Sequence, residues 1–253
     1  MLNGLADLEF TRRKASPLQN LCEAGSEYGI KRLEAKLSSD LIALLRPRPK
    51  QRIKNHLRQI LVRATRPCLA LELNAFRCAY RAMYPQQASS TLDLENKFLR
   101  RRPYDRLISL FNRFPVLAEL WLQLIDQWCD SVSELLERVD ADKHAVSRLF
   151  FRGRHLGQIA DLRAGLSDPH NEGRTVVRVQ FQAGALIYKP RSGYGEQEWF
   201  RFIAYVNAAS FRPRLIAART LCRSGYCWME EVKFRPCKDR PAGRRFYRRL
   251  GGT

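Results

Sequence analysis

The 253-residue chain has no run of about 18 or more uncharged apolar residues, so no segment reads as a membrane-spanning helix. Its first residues do not form a basic-then-apolar signal peptide, because Asp7 and Glu9 interrupt the stretch at once. The expected address is therefore cytoplasmic. Neither GxxxxGK(S/T) nor GxGxxG occurs, which leaves P-loop and Rossmann readings without a foothold. No two of the seven cysteines have CxxC spacing, and in a cytosolic setting they read as free thiols rather than a disulfide framework or a zinc site. Internal repeats and low-complexity tracts are absent too.

Acidic residues are scarce: 25 Asp and Glu face 45 Lys and Arg, a formal net charge of +20. Such an excess attracts polyanions, among them nucleic acid, acidic peptides and nucleotide phosphates. The basic residues are spread along the chain, with one local cluster at Arg235, Lys238, Arg240, Arg244, Arg245, Arg248 and Arg249. Zinc-finger spacing, an RNP-like strand and a basic region running into heptads are all missing, which argues against a nucleic-acid module.

What is present is a core. Hydrophobic residues make up 45% of the chain, enough for one large domain or two modest ones. To about residue 164 the apolar spacing is helical. It is clearest from Pro115, where Leu117, Leu120, Trp121, Leu124, Ile125, Trp128, Val132, Leu135, Leu136 and Val139 recur at three- and four-residue steps. Glu119, Asp126, Asp130, Glu134 and Glu137 occupy the other face and read as solvated. Tyr28 to Leu45 and Ile53 to Met83 show the same habit, separated by the Arg46–Pro49 breaker. Cys22, Cys68, Cys78 and Cys129 sit among these apolar positions and read as small core side chains.

Near residue 165 the period changes. After the turn-rich Gly165–Gly173, Thr175–Phe181 alternates and is rich in β-branched residues, and a Gln-Ala-Gly turn leads to Ala185–Lys189. Helical spacing returns over Glu198 to Val206. Two further strands follow, Leu215 to Cys222 and Tyr226 to Phe234, joined by Arg223-Ser-Gly225. The expected fold is α+β: a helical region over 1–164, then over 165–253 an antiparallel sheet laid out like a kinase small lobe. In that layout a lysine ending the second strand, Lys189, would hold phosphate oxygens, oriented by Glu196 or Glu198. Taken alone, a strand-end lysine is as readily a solvated edge residue.

Leu186-Ile-Tyr-Lys-Pro-Arg-Ser192 resembles the Tyr-Lys-Pro-Arg-Ser signature of class II (LanM-type) lanthipeptide synthetases. Ser167-Asp-Pro-His-Asn-Glu-Gly-Arg-Thr-Val176 is similar to that family's Gly/Ser-Asp-x-His-x-x-Gly-Arg-x-Val segment. Tyr226-Cys-Trp-Met-Glu230 resembles its Tyr-Gly-Trp-x-Glu strand, and Phe246-Tyr-Arg-Arg-Leu-Gly251 its Tyr-x-Arg-x-Gly helix start. In the helical half, Arg66-Pro-Cys-Leu-Ala-Leu-Glu-Leu-Asn74 and Phe114-Pro-Val-Leu-Ala118 match two more motifs. The resemblance covers roughly residues 60 to 251, with several ordered motifs at the family's separations.

The resemblance implies a lipid-kinase-like dehydratase that phosphorylates Ser and Thr of a precursor peptide with ATP and Mg2+ and then eliminates phosphate to leave dehydroamino acids. Carried onto this chain, Lys189 contacts ATP phosphates with Glu196 as its better-aligned partner. Arg191 is a phosphate-pairing candidate, and Asp168 and His170 are candidates for proton transfer. The implied partners are the lanthipeptide precursor and the remainder of the synthetase, whose zinc cyclase domain is not in these residues. Family members continue into an Asp-x-His-x-x-x-Asn catalytic loop and a metal-binding acidic strand; the chain ends at Thr253 before either. The expectation is a truncated dehydratase that neither dehydrates nor cyclises by itself and exposes apolar surface on its last strands and the Arg244–Leu250 helix. Gly193 stands where the family has Leu, and Cys227 where it has Gly. Two other readings stay open: a non-catalytic relic that binds a peptide or another subunit, and a basic nucleic-acid-binding protein.

Overall fold

The computed structural model describes residues 17–86, 90, 93, 94, 97, 98, 103–210, 214–232 and 236–251. Asp7, Glu9, the expected strand end at Phe234, Arg235 of the basic cluster and Thr253 lie outside the described residues. The helices are α1 (Pro17–Leu21), α2 (Glu23–Lys36), α3 (Ser39–Leu44), α4 (Pro47–Met83), α5 (Pro103–Arg113) and α6 (Pro115–Phe151), followed by α7 (Tyr194–Ala208) and α8 (Arg240–Gly251). The strands are β1 (Ile159–Arg163), β2 (Val177–Phe181), β3 (Ala185–Lys189), β4 (Thr220–Arg223) and β5 (Tyr226–Glu230). The fold is mixed α+β, with helices first and then a five-stranded antiparallel sheet in the order β1-β2-β3-β5-β4. None of the helices is long and apolar enough to cross a membrane, among the described residues.

Contacts divide the chain into two units, residues 1–37 with 54–132, and residues 38–53 with 133–253. In the first unit, α2 is built for close approach. A Cβ on Gly25 would lie 2.4 Å from the Trp121 ring, and one on Gly29 would lie 2.3 Å from Leu57. The glycines one helical turn apart let α2 meet Leu57, Leu61 and Trp121 at backbone distance. The buried Thr65 hydroxyl at that contact is satisfied. Thr65 Oγ1 accepts from Trp121 Nε1 at 2.9 Å and donates to the Leu61 carbonyl at 2.8 Å.

The second unit holds the sheet. β2 buries Val177, Val179 and Phe181 in strict alternation, and β3 buries Leu186 and Tyr188. β5 buries Cys227, Trp228 and Met229 in succession, because both of its faces are covered.

Several elements depart from the sequence reading. Spacing reads as helical to about residue 164, yet α6 ends at Phe151 and β1 begins at Ile159. The buried Ile159, Asp161 and Leu162 carry no clean period because the pairing with β2 shifts between Ile159 and Asp161. The Arg46–Pro49 segment separates two helices as expected, but it does so by starting one: Pro47 and Pro49 fall in the first turn of α4, where a missing N–H costs nothing. Pro67 lies inside the same helix. Cys22 and Cys129 are buried, whereas Cys78 is exposed rather than in the core. Phe246 and Tyr247 on α8 are exposed.

The glycine contact gives a direct test. Gly25→Val drives a branched side chain into Trp121 and should lower stability in urea by about 1–3 kcal/mol. Gly243→Ala, whose Cβ meets nothing within 4 Å, should instead leave stability unchanged or raise it by up to about 1 kcal/mol.

Candidate active site

One end of the sheet collects the residues that the motifs single out. Val177 pairs with Tyr188 and Lys189 with Cys227, so the end of β3, the start of β5 and the loop entering β2 lie side by side. Alternation sends Tyr188 and Lys189 to opposite faces.

Tyr188 goes to the α6 side, where its hydroxyl takes a hydrogen bond from Arg138. It is buried, and burial pushes its phenol up to about 12. Lys189 goes to the α7 side, where its Nζ lies 3.2 Å from Glu196 Oε1 in the first turn of that helix. Arg191 also donates to Glu196 Oε1. Glu198 is not the partner of Lys189; it pairs with Arg201 at 2.6 Å. Burial alone would raise the Glu196 carboxyl, but hydrogen bonds from Arg191 and Lys189 carry it below the usual carboxylate range.

The loop with Asp168 and His170 is a stiff hairpin. His170 and Arg174 exchange backbone hydrogen bonds of 2.9 and 2.8 Å. The Val176 amide donates to Ser167 Oγ at 3.0 Å, and the Gly165 amide to Thr175 Oγ1 at 3.0 Å. Asn171, Glu172 and Gly173 turn the chain at positive φ. Arg174 fastens the hairpin, since its Nε donates to Glu134 Oε2 at 2.8 Å and its Nη1 to the Asn171 carbonyl at 2.7 Å. Asp168 and His170 themselves are exposed. Among the described residues, neither side chain makes a hydrogen bond or ion pair with another, with Lys189 or with Arg191. The fold brings the hairpin and the lysine strand to one end of the sheet, but the acid and the histidine are not bonded to each other there.

Glu134 links the two. It pairs with Arg174 of the hairpin and with Arg138, which in turn holds Tyr188. The sequence reading places Glu134 on the solvated face of its helix; in the structure it is a partly buried bridge. Four residues beyond Arg138, the buried Asp142 accepts from Arg223 Nε at 2.8 Å, Tyr226 Oη at 2.9 Å and Trp228 Nε1 at 2.9 Å. Glu134, Arg138 and Asp142 at four-residue steps were the available signal, hidden because polar spacing on a helix usually marks solvent. Trp228 is core, at 0% exposure. A cavity of about 560 Å³ lies at the other end of the sheet, lined in part by His144, His155, Gln158, Phe181 and Gln182; it contains none of the motif residues.

A family model described as Domain of unknown function (DUF4135) matches residues 114–253, from just ahead of α6 through all five strands and α8. No curated protein matches the chain.

Two outcomes follow from this geometry. Asp142→Ala strands three donors, one of them the buried Trp228 Nε1, and should cost about 2–3 kcal/mol in chemical denaturation, tempered by the partial exposure of Arg223. The second concerns pH. A carboxylate whose folded pKa is depressed contributes stability above its unfolded pKa and loses it as pH falls through the folded value. The stability advantage of wild type over Glu196→Gln should therefore be full above about pH 5 and disappear as the pH is lowered through the acid range. A difference that does not change with pH would show that Glu196 is not held as a carboxylate by Lys189 and Arg191.

Proposed function

We propose, from the premise that the chain belongs to the DUF4135 family, that it is the N-terminal part of a LanM-type dehydratase and supplies the nucleotide-gripping half of its ATP site. The observation that carries the reading is the Lys189–Glu196 pair, joined from β3 to the first turn of α7 at 3.2 Å. A lysine on a rigid strand, held by a helix carboxylate, places one cation where phosphate oxygens can be met without a search through side-chain rotamers. Arg191 supplies a planar second donor set beside it.

The hairpin supports the same reading. It holds Asp168 and His170 out from a backbone fixed by Arg174, at the sheet end where Lys189 emerges, with their side chains unengaged. A carboxylate and an imidazole so presented can orient or take the proton of a Ser or Thr hydroxyl. The precursor peptide is the substrate in this reading.

ATP would bring the transferable phosphoryl group, and Mg2+ the charge neutralisation that its transfer needs. Among the described residues no three His, Cys, Asp or Glu side chains gather to hold a metal ion. The 253 residues also contain no Asp-x-His-x-x-x-Asn segment. In this reading the metal ligands come from the remainder of the synthetase, and the chain alone binds nucleotide without completing dehydration. A second reading is a protein that binds the precursor or another subunit and does no chemistry.

The test is calorimetric titration of the purified chain with ATP. Saturable binding is expected, weakened about tenfold or more by Lys189→Ala and unchanged by Arg201→Ala. Equal binding by the Lys189 variant, or none at millimolar ATP, sinks the nucleotide reading. Precursor binding without nucleotide binding would select the second.

A further inference from the structure

Lys189, Cys227 and Cys222 form a row across three strands. Lys189 pairs with Cys227, and Cys227 with Cys222; directly paired residues project from the same face of a sheet. The position that a Cβ on Gly193 would occupy lies 2.4 Å from Cys227 Sγ and 3.3 Å from Cys222 Sγ. Both sulfurs therefore converge on one point beneath the start of α7. Gly193 and Cys227, the two small departures from the LanM pattern, are thus a single accommodation: the larger residue on β5 fits because the residue above it has no side chain.

The pairing type matters. The Glu230 amide donates to the Arg219 carbonyl at 3.0 Å, which makes 219 and 230 a hydrogen-bonded pair. Alternation inward through Thr220–Met229 and Leu221–Trp228 makes Cys222–Cys227 a non-hydrogen-bonded pair. Such pairs hold their Cα atoms about 4.5 Å apart, inside the roughly 4.4–6.8 Å range that a disulfide spans. Both thiols are free; Cys222 is partly exposed and Cys227 fully buried.

We propose that Cys222 and Cys227 are a thiol-modification site, a cross-strand dithiol that closes to a disulfide by exchange with a low-molecular-weight disulfide such as oxidised glutathione. This holds whether or not Lys189 binds nucleotide. Cys222, the accessible thiol, loses its proton and attacks one sulfur of the reagent. A mixed disulfide forms and one glutathione thiolate leaves. The Cys227 thiol then loses its proton and attacks Cys222 Sγ, expelling the second glutathione thiolate. The two thiolates take up the two protons, so two protein thiols are oxidised and one reagent disulfide is reduced. Burial pushes the Cys227 thiol up to about 11. A sulfur so poorly stabilised as thiolate is a poor leaving group, so the closed disulfide persists once made.

Trypsin cuts after Arg219, Arg223 and Lys233, so it separates the two cysteines into residues 220–223 and 224–233. The full chain is incubated with oxidised glutathione, quenched with acid, digested without reduction and read by mass spectrometry. These two peptides are expected joined by a disulfide, exceeding any peptide that joins Cys222 to Cys78 or Cys237 by about tenfold or more. Cys222→Ser removes the linked pair, and Cys227→Ser arrests the reaction with glutathione on Cys222. The wild-type digest decides the matter even if a variant fails to fold. Glutathione retained on wild-type Cys222 without the linked pair, or modification confined to Cys78 and Cys237, overturns the proposal.

Discussion

The second unit is organised around a buried carboxylate. Asp142 on α6 is 5% exposed at its side chain and accepts from three donors on β4 and β5, the guanidinium of Arg223, the hydroxyl of Tyr226 and the indole of Trp228. A charge so placed is tolerated only when its lone pairs are met. Each donor comes from the hairpin that closes the far edge of the sheet, so the hairpin's register and tilt are constrained by the need to satisfy one side chain. Arg138 and Glu134, one and two turns back along α6, do the same for β3 and for the hairpin ahead of β2. A single polar stripe on one helix thus holds the helix-facing side of three strands and the hairpin ahead of a fourth.

The opposite face follows from this. Once Tyr188 is held by Arg138, alternation leaves Lys189 no choice but the α7 side, and Glu196 meets it there. The same logic carries across the sheet to Cys227 and Cys222, which share Lys189's face because Trp228 and Leu221 occupy the other. Lys189 is thereby held in place by Glu196, whereas a free lysine spends interaction energy on ordering its own four-carbon stem. The hairpin with Asp168 and His170 differs: its backbone is fixed through Ser167, Arg174 and Thr175, but the exposed Asp168 and His170 side chains make no hydrogen bond or ion pair among the described residues.

The helical half was largely legible in the sequence. The three- and four-residue recurrence from Pro115 places Trp121, Ile125, Trp128 and Leu136 on the buried face that the structure shows, and strand alternation locates β2 and β3 nearly to the residue. β1 was not legible. Its bulged pairing with β2 puts Ile159, Asp161 and Leu162 all inside, a spacing that lacks strand alternation and reads as a continuation of the helical region. Arg52 and Arg48, more than a hundred residues earlier, are what make Asp161 tolerable there. Glu134 and Asp142 were illegible for the same reason, since a charged residue on a helix is read as facing water until a distant cation is known to face it.

The sequence by itself determined most element types, the change from helix to sheet and the motif order, because period and local composition act over a few residues at a time; Lys189, Glu196, Arg191, Asp168 and His170 became the residues to watch through the resemblance that those motifs carry. Only the tertiary structure decided that Glu196 bonds Arg191 as well as Lys189, that Asp168 and His170 form no hydrogen bond or ion pair with the lysine among the described residues, that Glu134, Arg138 and Asp142 of α6 brace the sheet, and that Gly193, Cys222 and Cys227 share one point. Those outcomes depend on pairings between residues tens of positions apart, where burial turns a weak surface charge or a small side chain into a constraint, and no local pattern encodes them.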